Sequence, residues 1–315
     1  MALDEKVTRL AATDVTTFKS RVESRGTLAQ VDQYMIDMIA STGATPAREA
    51  ALYHLNTGGS RMRAQLGLAS ATVRLNTNDA IAAAAACELL HNASLVHDDI
   101  SDGDLLRRGA LTVRSAYGAG IALCTGDLLF SAAFHAASDI TDPMTSLHLT
   151  RSMAQAAARV IGGQSIELAH EKATDIPTRH EYLMATRAKT APLIELPISV
   201  GLLDEATDSA ARQQCTALAQ AIGLAYQILD DLDDLPPFAA DATAPQPHGL
   251  HAWWHHQPMA ATPNHERTIA RCLWHANAAL TRANRLAASL PTPLNRCVDT
   301  LIDKLTSKAQ REPTY

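Results

Sequence analysis

The chain has 315 residues, of which 47% are hydrophobic and 4% aromatic, and its formal net charge is −6. This hydrophobic fraction is sufficient for a packed core and excludes wholesale disorder. The acidic balance and the few aromatic side chains argue against nucleic acid as a partner.

The first residues and the apolar runs of the chain indicate where in the cell the protein is expected. The longest apolar run, residues 80–87, is much shorter than the roughly 18 residues that cross a bilayer. Asp4 and Glu5 stand where a secretory signal would be basic and then apolar. The five cysteines are far apart and form no CxxC pair, so neither a zinc knuckle nor a disulfide framework is supported. We expect a cytoplasmic protein without a membrane span.

Helix signals dominate the chain, because alanine and leucine recur throughout while alternating runs of β-branched and aromatic residues are nearly absent. Four segments have helical length and apolar residues at three- and four-residue spacing: 81–96, 126–138, 147–161 and 211–229. Glycine and proline separate such segments at Gly58–Gly59, Gly103, Gly109, Pro143 and Pro177. Pro192 and Pro197 predict a kink or a break. The pattern indicates an all-α fold, a large bundle of several layers.

The segment 236–266 differs in composition from the rest. It contains no Lys or Arg, six prolines, and a cluster formed by Trp253, Trp254, His255 and His256. We interpret it as a long mobile loop inside a single domain that comprises residues 1–315. Helices are expected to follow over 267–315.

Two acidic clusters end long apolar segments. The first contains Asp98, Asp99 and Asp102, and the second contains Asp230, Asp231 and Asp234. In each DDxxD run the first and last carboxylates share one helix face, where they repel each other unless a cation lies between them. Oxygen-only carboxylate sites suit Mg²⁺, particularly where phosphate oxygens complete the coordination. One such run is weak evidence, but two at the ends of apolar helices predict a magnesium site.

With this pair of motifs the chain resembles the trans-isoprenyl diphosphate synthases, or polyprenyl synthetases. The likeness extends from about Gly58 to Leu235. Further matching residues are Gly58–Gly59, Arg107–Arg108–Gly109, Gly126–Asp127, Gly163–Gln164 with Glu167, Lys189–Thr190 and Gln227. The resemblance implies an all-α bundle of the isoprenoid synthase type around a deep central cavity that both acidic helices face. It also implies a homodimer.

The resemblance implies a prenyltransferase that condenses isopentenyl diphosphate with an allylic diphosphate into a longer trans-prenyl diphosphate. Mg²⁺ would be the cofactor, three ions held with the diphosphate by the six motif aspartates. Arg107 and Lys189 would bind the allylic diphosphate, since guanidinium forks match phosphate oxygens. The dipoles of Thr190 and Gln227 would face the allylic cation. The remaining implied substrate-binding residues are Arg63, His91, Arg108 and Gln164.

Two departures from the family pattern keep other functions open. Ser60 stands where the family has a lysine, and 236–266 lacks the lysines that help to close over the diphosphate. Each lost charge-assisted contact is worth about 1.5–3 kcal/mol. These losses favour, as an alternative, a terpene-synthase-like lyase that ionises a single allylic diphosphate. A third possibility is a non-catalytic subunit of a heteromeric prenyl synthase.

The resemblance also bears on product length. The family places a bulky residue four or five positions before the first aspartate, and here those positions are Ser94 and Ala93. With small side chains there, the cavity floor is expected at least one helical turn lower, at Leu90 or Glu88 and near Leu129. This geometry favours a product of C20 or longer.

Overall fold

A computed structural model describes residues 27–171, 179–202, 209–233 and 265–310. Twelve helices lie within these ranges, which confirms the all-α prediction. They are α1 (27–40), α2 (Pro46–Asn56), α3 (Met62–Ala71), α4 (Thr77–Asp102), α5 (Val113–Tyr117), α6 (Ala119–Ser138), α7 (Pro143–Glu171), α8 (Arg179–Thr190), α9 (Pro192–Ser199), α10 (Ser209–Asp233), α11 (His265–Ala287) and α12 (Leu294–Ala309). A short hairpin of β1 (Leu106–Arg107) and β2 (Ala110–Leu111) follows α4.

Helix α4 is the centre of the bundle. Every residue from Asp79 to Ala93 is buried, so this helix is enclosed on all sides. Its run of alanines keeps the enclosing helices close, because a methyl group fills little space. Where α3 approaches, a Cβ placed on Gly67 would lie 3.2 Å from the Cα of Ala84. Close packing of this kind fixes the direction in which α4 carries its last turn.

The hydrophobic core divides into two clusters that meet along α3 and α9. One cluster surrounds α4 and includes Met35, Leu129 and Met153. The other packs α10 against α11 and α12 through residues such as Ile222 and Ile302. The two acidic motifs therefore stand at the ends of helices from different clusters.

The proline-containing stretch breaks at one of its two prolines. Helix α8 ends at Thr190 and α9 begins at Pro192, whose missing N–H costs nothing at the first helical position. Pro197 lies inside α9 without ending it. The predicted break is thus confirmed at Pro192.

Several boundaries differ from the sequence-based prediction. Helix α4 continues past residue 96 to Asp102, where Gly103 closes it with a left-handed φ of 75°. Helix α6 begins at Ala119 rather than at 126, since nothing in its first turns interrupts it. Helix α11 begins at His265, inside the segment expected to be a loop. Most of that segment, together with Pro177, lies outside the described residues.

Candidate functional site

The first acidic motif occupies the last turn of α4. Asp99 is fully buried, and its Oδ1 accepts hydrogen bonds from Nε and Nη2 of Arg107, each at 2.6 Å. Burial raises the pKa of the Asp99 carboxyl, while Arg107 opposes that rise. Its Oδ2 is buried and has no hydrogen-bond partner among the residues that the structure describes. Asp98 is half-buried and Asp102 is exposed.

The hairpin after α4 directs two adjacent arginines to different places. Arg108 has a left-handed φ of 55°, and Gly109 follows with φ 79°, so the chain reverses sharply at this pair. Arg107 turns back to Asp99, and its Nη2 lies 3.6 Å from Asp104. Arg108 donates to the carbonyl of Gly58 and lies against Gly59, where a Cβ would be 2.5 Å from the guanidinium carbon. The double glycine therefore leaves room for Arg108.

Arg63, His91 and Arg108 form a cationic cluster beside this hairpin. Arg63 and His91 are each 8% exposed. Burial, with the charges of Arg63 and Arg108, lowers the pKa of His91 well below its usual range, so the ring is neutral. Arg63 Nε and His91 Nδ1 are buried without a hydrogen-bond partner in the described part of the chain. These two groups can hold an anion.

Four further side chains surround the cationic cluster, and sequence reasoning missed their role: His54, Asn92, Glu88 and Arg61. Burial and the neighbouring Arg108 lower the pKa of His54 to about 4, and its Nε2 lies 3.1 Å from Asn92 Oδ1. Glu88 Oε2 accepts the Ala64 N–H at 2.9 Å, and its other oxygen lies 3.9 Å from Arg61. The Glu88 carboxylate therefore faces α3 and lies near the arginines of the cationic cluster. Their only sequence signal was polar character within or beside apolar helices.

The second acidic motif stands at the end of α10. Asp231 accepts a hydrogen bond of 2.5 Å from the Tyr182 hydroxyl and one of 2.8 Å from Gln227 Nε2. Gln227 Oε1 in turn accepts the Thr190 hydroxyl at 3.0 Å. This chain of hydrogen bonds ties α8 to α10 and fixes the orientation of the Gln227 amide. The sequence did not single out Tyr182, although it lies on the same side of α8 as the buried Thr186 and Thr190.

A lysine from the far end of the chain also contacts this motif. Lys308 Nζ, on α12, lies 2.7 Å from Asp233 Oδ2 and 3.4 Å from Asp230 Oδ1. No pattern in the sequence indicated this contact. The last aspartate of the motif, Asp234, lies outside the described residues.

Two glycines allow helices to approach the break between α8 and α9. A Cβ on Gly163 of α7 would lie 2.8 Å from the backbone nitrogen of Lys189, and one on Gly223 of α10 would lie 3.2 Å from that of Ala191. Gln164 therefore lies next to the turn of chain that carries Lys189. Both amide atoms of Gln164 are buried with no hydrogen-bond partner within the described ranges. The side chain of Glu167 is not among those described.

Electrostatic contacts connect the two halves of the site. Tyr226, one turn before Asp230, lies within electrostatic reach of both Arg63 and Arg108. Arg107, adjacent in sequence, is within reach of Asp98 and bonds Asp99. The ends of α4 and α10 thus border the same cationic cluster. Across the described ranges, no three or more His, Cys, Asp or Glu side chains come close enough to hold a metal ion by themselves.

Comparison with known proteins agrees with this arrangement. The polyprenyl synthetase family matches residues 45–243, more than half of the chain, so the chain belongs to the polyprenyl synthetase family. The family inferred from the two motifs is confirmed.

Individual relatives extend the comparison. A short chain isoprenyl diphosphate synthase of Methanocaldococcus jannaschii is 36% identical over 59% of this chain and 57% of its own length. A geranylgeranyl diphosphate synthase of Methanosarcina mazei is 31% identical over 68% of this chain and 66% of its own length. The chain thus spans less than two thirds of either relative. The solved geranylgeranyl pyrophosphate synthetase of Pyrococcus horikoshii covers 92% of this chain and 98% of its own, with 25% identity and a TM-score of 0.77.

Proposed function

We propose that the protein is a prenyltransferase that joins isopentenyl diphosphate to an allylic diphosphate. The observation that carries the proposal is the set of buried polar atoms that lack a partner within the described residues. Four side chains implied to bind substrate or metal hold such atoms: Arg63, His91, Asp99 and Gln164. Buried polar atoms are nearly always hydrogen-bonded, so unpartnered atoms on these four side chains support a polar ligand beside them. Relatives named as prenyl diphosphate synthases support the same reaction.

The donor set at the two motifs fits Mg²⁺. It consists of carboxylate oxygens, and Asp99 Oδ2 is buried without a partner in the described chain. We assign metal contacts to the outer carboxylates of the two motifs, in a set of three ions: Asp98 and Asp102 of the first motif, and Asp230 and Asp234 of the second. Asp99 orients its neighbours and keeps Oδ2 for a metal. Both oxygens of Asp231 accept hydrogen bonds, from Tyr182 and Gln227, so Asp231 acts by orienting its neighbours. When bound, Mg²⁺ neutralises the diphosphate and makes it a better leaving group.

The surrounding side chains account for the remaining chemistry. Arg63, Arg108 and the neutral ring of His91 hold isopentenyl diphosphate, while Arg107 and Lys189 hold the allylic diphosphate. The C–O bond of the allylic substrate breaks, and the double bond of isopentenyl diphosphate attacks the resulting cation to form a C–C bond. A proton then leaves to an oxygen of the departed diphosphate. Throughout, Asp231 holds the Gln227 amide so that its carbonyl dipole and the Thr190 oxygen face the cation.

The alternative is a lyase that acts on one allylic diphosphate. Ser60 favours it, since this exposed residue supplies no charge to the second diphosphate pocket. The cationic cluster favours the two-substrate reaction, because Arg63 and Arg108 outweigh the single Glu88 carboxylate near them and leave a net positive charge where isopentenyl diphosphate would bind. A single-substrate lyase has no use for that second anion site. A non-catalytic subunit of a heteromeric synthase is the third candidate.

One experiment separates the three functions. The purified full-length protein is incubated with Mg²⁺ and C5, C10, C15 or C20 allylic diphosphates, each with and without isopentenyl diphosphate. Longer diphosphates that form only when both substrates are present support prenyl transfer. Hydrocarbons or alcohols from one substrate identify the lyase, and no turnover identifies the non-catalytic subunit. An Asp98→Asn variant serves as the control for contaminating activity.

We propose that the end of the buried stretch of α4 sets the length of the product. Ala93 is buried, and Ser94 is the first residue after that stretch with accessible surface. Below it, Leu90 and Leu129 belong to one core cluster and form the floor that we propose. A product of C20 or longer is expected, and Ser94→Phe should shorten it, as chromatography of the dephosphorylated products would show.

A second copy of the chain is the partner that we propose for α6. Among the described helices, Ala119–Ser138 has the length and composition to cross a membrane, yet 39% of its most apolar window is buried inside the protein. Its outer face exposes 54% of Leu123, and the rings of Phe130 and Phe134 lie half-buried 5.1 Å apart. A homodimer would cover this face, and Leu123→Glu should lower the sedimentation mass to that of a monomer. The cytoplasmic location stays a prediction.

A further inference from the structure

Lys308 provides a positive charge that the end of α10 lacks. Asp230 and Asp233 lie on one face of the last turn of α10, and that turn contains no basic residue. Like charges at this spacing repel each other, and the negative end of the helix dipole adds to the strain. Lys308 reaches both carboxylates from α12, at 3.4 Å and 2.7 Å.

The position of Lys308 is built into the fold. Its neighbours Leu305 and Ala309 are buried against the core, so α12 is held firmly beside α10. The lysine side chain itself is 27% exposed, and its nitrogen is shared between Asp230 and Asp233, which occupies a variable position of the DDxxD run. Asp233 therefore anchors the lysine next to a residue to which we assign a metal contact.

We propose that Lys308 makes metal loading at the second acidic motif depend on the diphosphate substrate. In the substrate-free protein the lysine neutralises Asp230 and repels a divalent cation that approaches the same oxygen. A bound diphosphate adds several negative charges. Their attraction for the cation outweighs its repulsion by Lys308, so that the metal can bind the Asp230 carboxylate. Lys308 is thus a positioning residue that supplies, from the C-terminal helix, a cation missing from 236–266. This inference rests on the proposed function of the site.

Binding of Mn²⁺ to the substrate-free protein tests the inference. The free ion is followed by electron paramagnetic resonance in an Asp98→Asn, Asp102→Asn background, which removes the outer carboxylates of the first motif. In that background we expect Lys308→Met to bind Mn²⁺ roughly three- to fivefold more tightly than the parent, as loss of one exposed ion pair allows. Lys308→Arg retains the charge and should restore the parent affinity.

The matched control is Lys304→Met, one turn earlier on the exposed side of α12. An equal gain in this variant would reduce the effect to general surface charge and overturn the inference. Unchanged or weaker Mn²⁺ binding in Lys308→Met would overturn the inference as well. If Lys308 had a purely structural role, the Lys308→Met variant would show only a lower melting temperature. The two-substrate assay runs in parallel with the wild-type metal motifs. Tighter Mn²⁺ binding without prenyl transfer would reject the proposed function alone.

Discussion

The two acidic motifs are held in contrasting ways. At the end of α4, the middle aspartate is buried and bonded by Arg107, which follows it closely in the chain. At the end of α10, Asp231 is bonded by Tyr182 from α8, and its neighbour Asp230 is contacted by Lys308 from α12. The first motif is therefore assembled by one local turn, and the second by helices distant in sequence. Substitutions that disturb α8 or α12 should therefore alter the geometry of the second motif only.

The largest expected effect is the loss of turnover when a carboxylate to which we assign a metal contact is removed from either motif. Asp98→Ala and Asp230→Ala should each lower kcat about a thousandfold, because several kcal/mol of charge stabilisation is lost from the departing diphosphate. Circular dichroism should show an unchanged fold, and removal of metal by EDTA should abolish turnover in the wild type. Asp303→Ala, on the exposed side of α12, is the matched surface control. A normal rate in Asp230→Ala would separate the second motif from the reaction.

The next effect tests the local assembly of the first motif. Arg107→Met leaves the buried Asp99 carboxylate without its partner and should cost about 3 kcal/mol of unfolding free energy, measured by urea denaturation. Asp99→Asn in the same chain removes the stranded charge and should recover part of that loss. Wild-type stability in Arg107→Met would mean that the pair contributes nothing to holding the turn.

The unfolding free energy should depend on pH through a histidine near the first motif. Burial lowers the pKa of His54 from 6.5 to about 4, so between these values the unfolded chain binds a proton that the native protein does not. The contribution of His54 to the unfolding free energy is complete above pH 6.5 and is lost as the pH drops through this window, by roughly 3 kcal/mol. His54→Gln should flatten the slope of unfolding free energy against pH there. His135→Gln, at an exposed histidine of α6, should leave the slope unchanged.

The smallest effect tests the long-range assembly of the second motif. Tyr182→Phe removes a hydrogen bond that Asp231 accepts and should cost about 1–2 kcal/mol of stability. Because Gln227 then loses part of its anchor, kcat should fall while the KM for isopentenyl diphosphate stays constant. A change in that KM instead would show that the two motifs are less independent than their contacts indicate.

The sequence was informative wherever the chemistry is local. Both DDxxD runs were expected at helix ends, and α4 and α10 carry them there, Asp234 alone lying outside the described residues. Arg107 and Arg108 were placed beside the first motif because they follow it within a few residues. The break at Pro192 was predictable from the geometry of proline.

The partners that sequence reasoning missed are tertiary. Tyr182, Lys308 and His54 each meet the site from another helix, and no spacing along the chain encodes such a meeting. Glu88 was expected near the cavity floor, but its bond to the Ala64 N–H shows that its side of α4 faces α3. Helix α4 is buried on every side there, so hydrophobic pattern alone could not tell one face from another.

The alanine-rich interior of α4 restricts which substitutions this protein could accept. A larger side chain at Ala84 would clash with α3, because the backbone at Gly67 already packs closely against Ala84. Overpacking of that kind costs about 1–3 kcal/mol of unfolding free energy. Any such displacement of α4 would also shift the aspartates in its last turn. Tolerated changes of volume are therefore confined to the final turns of α4 and to the helices that surround it, because its middle accepts almost no larger side chain.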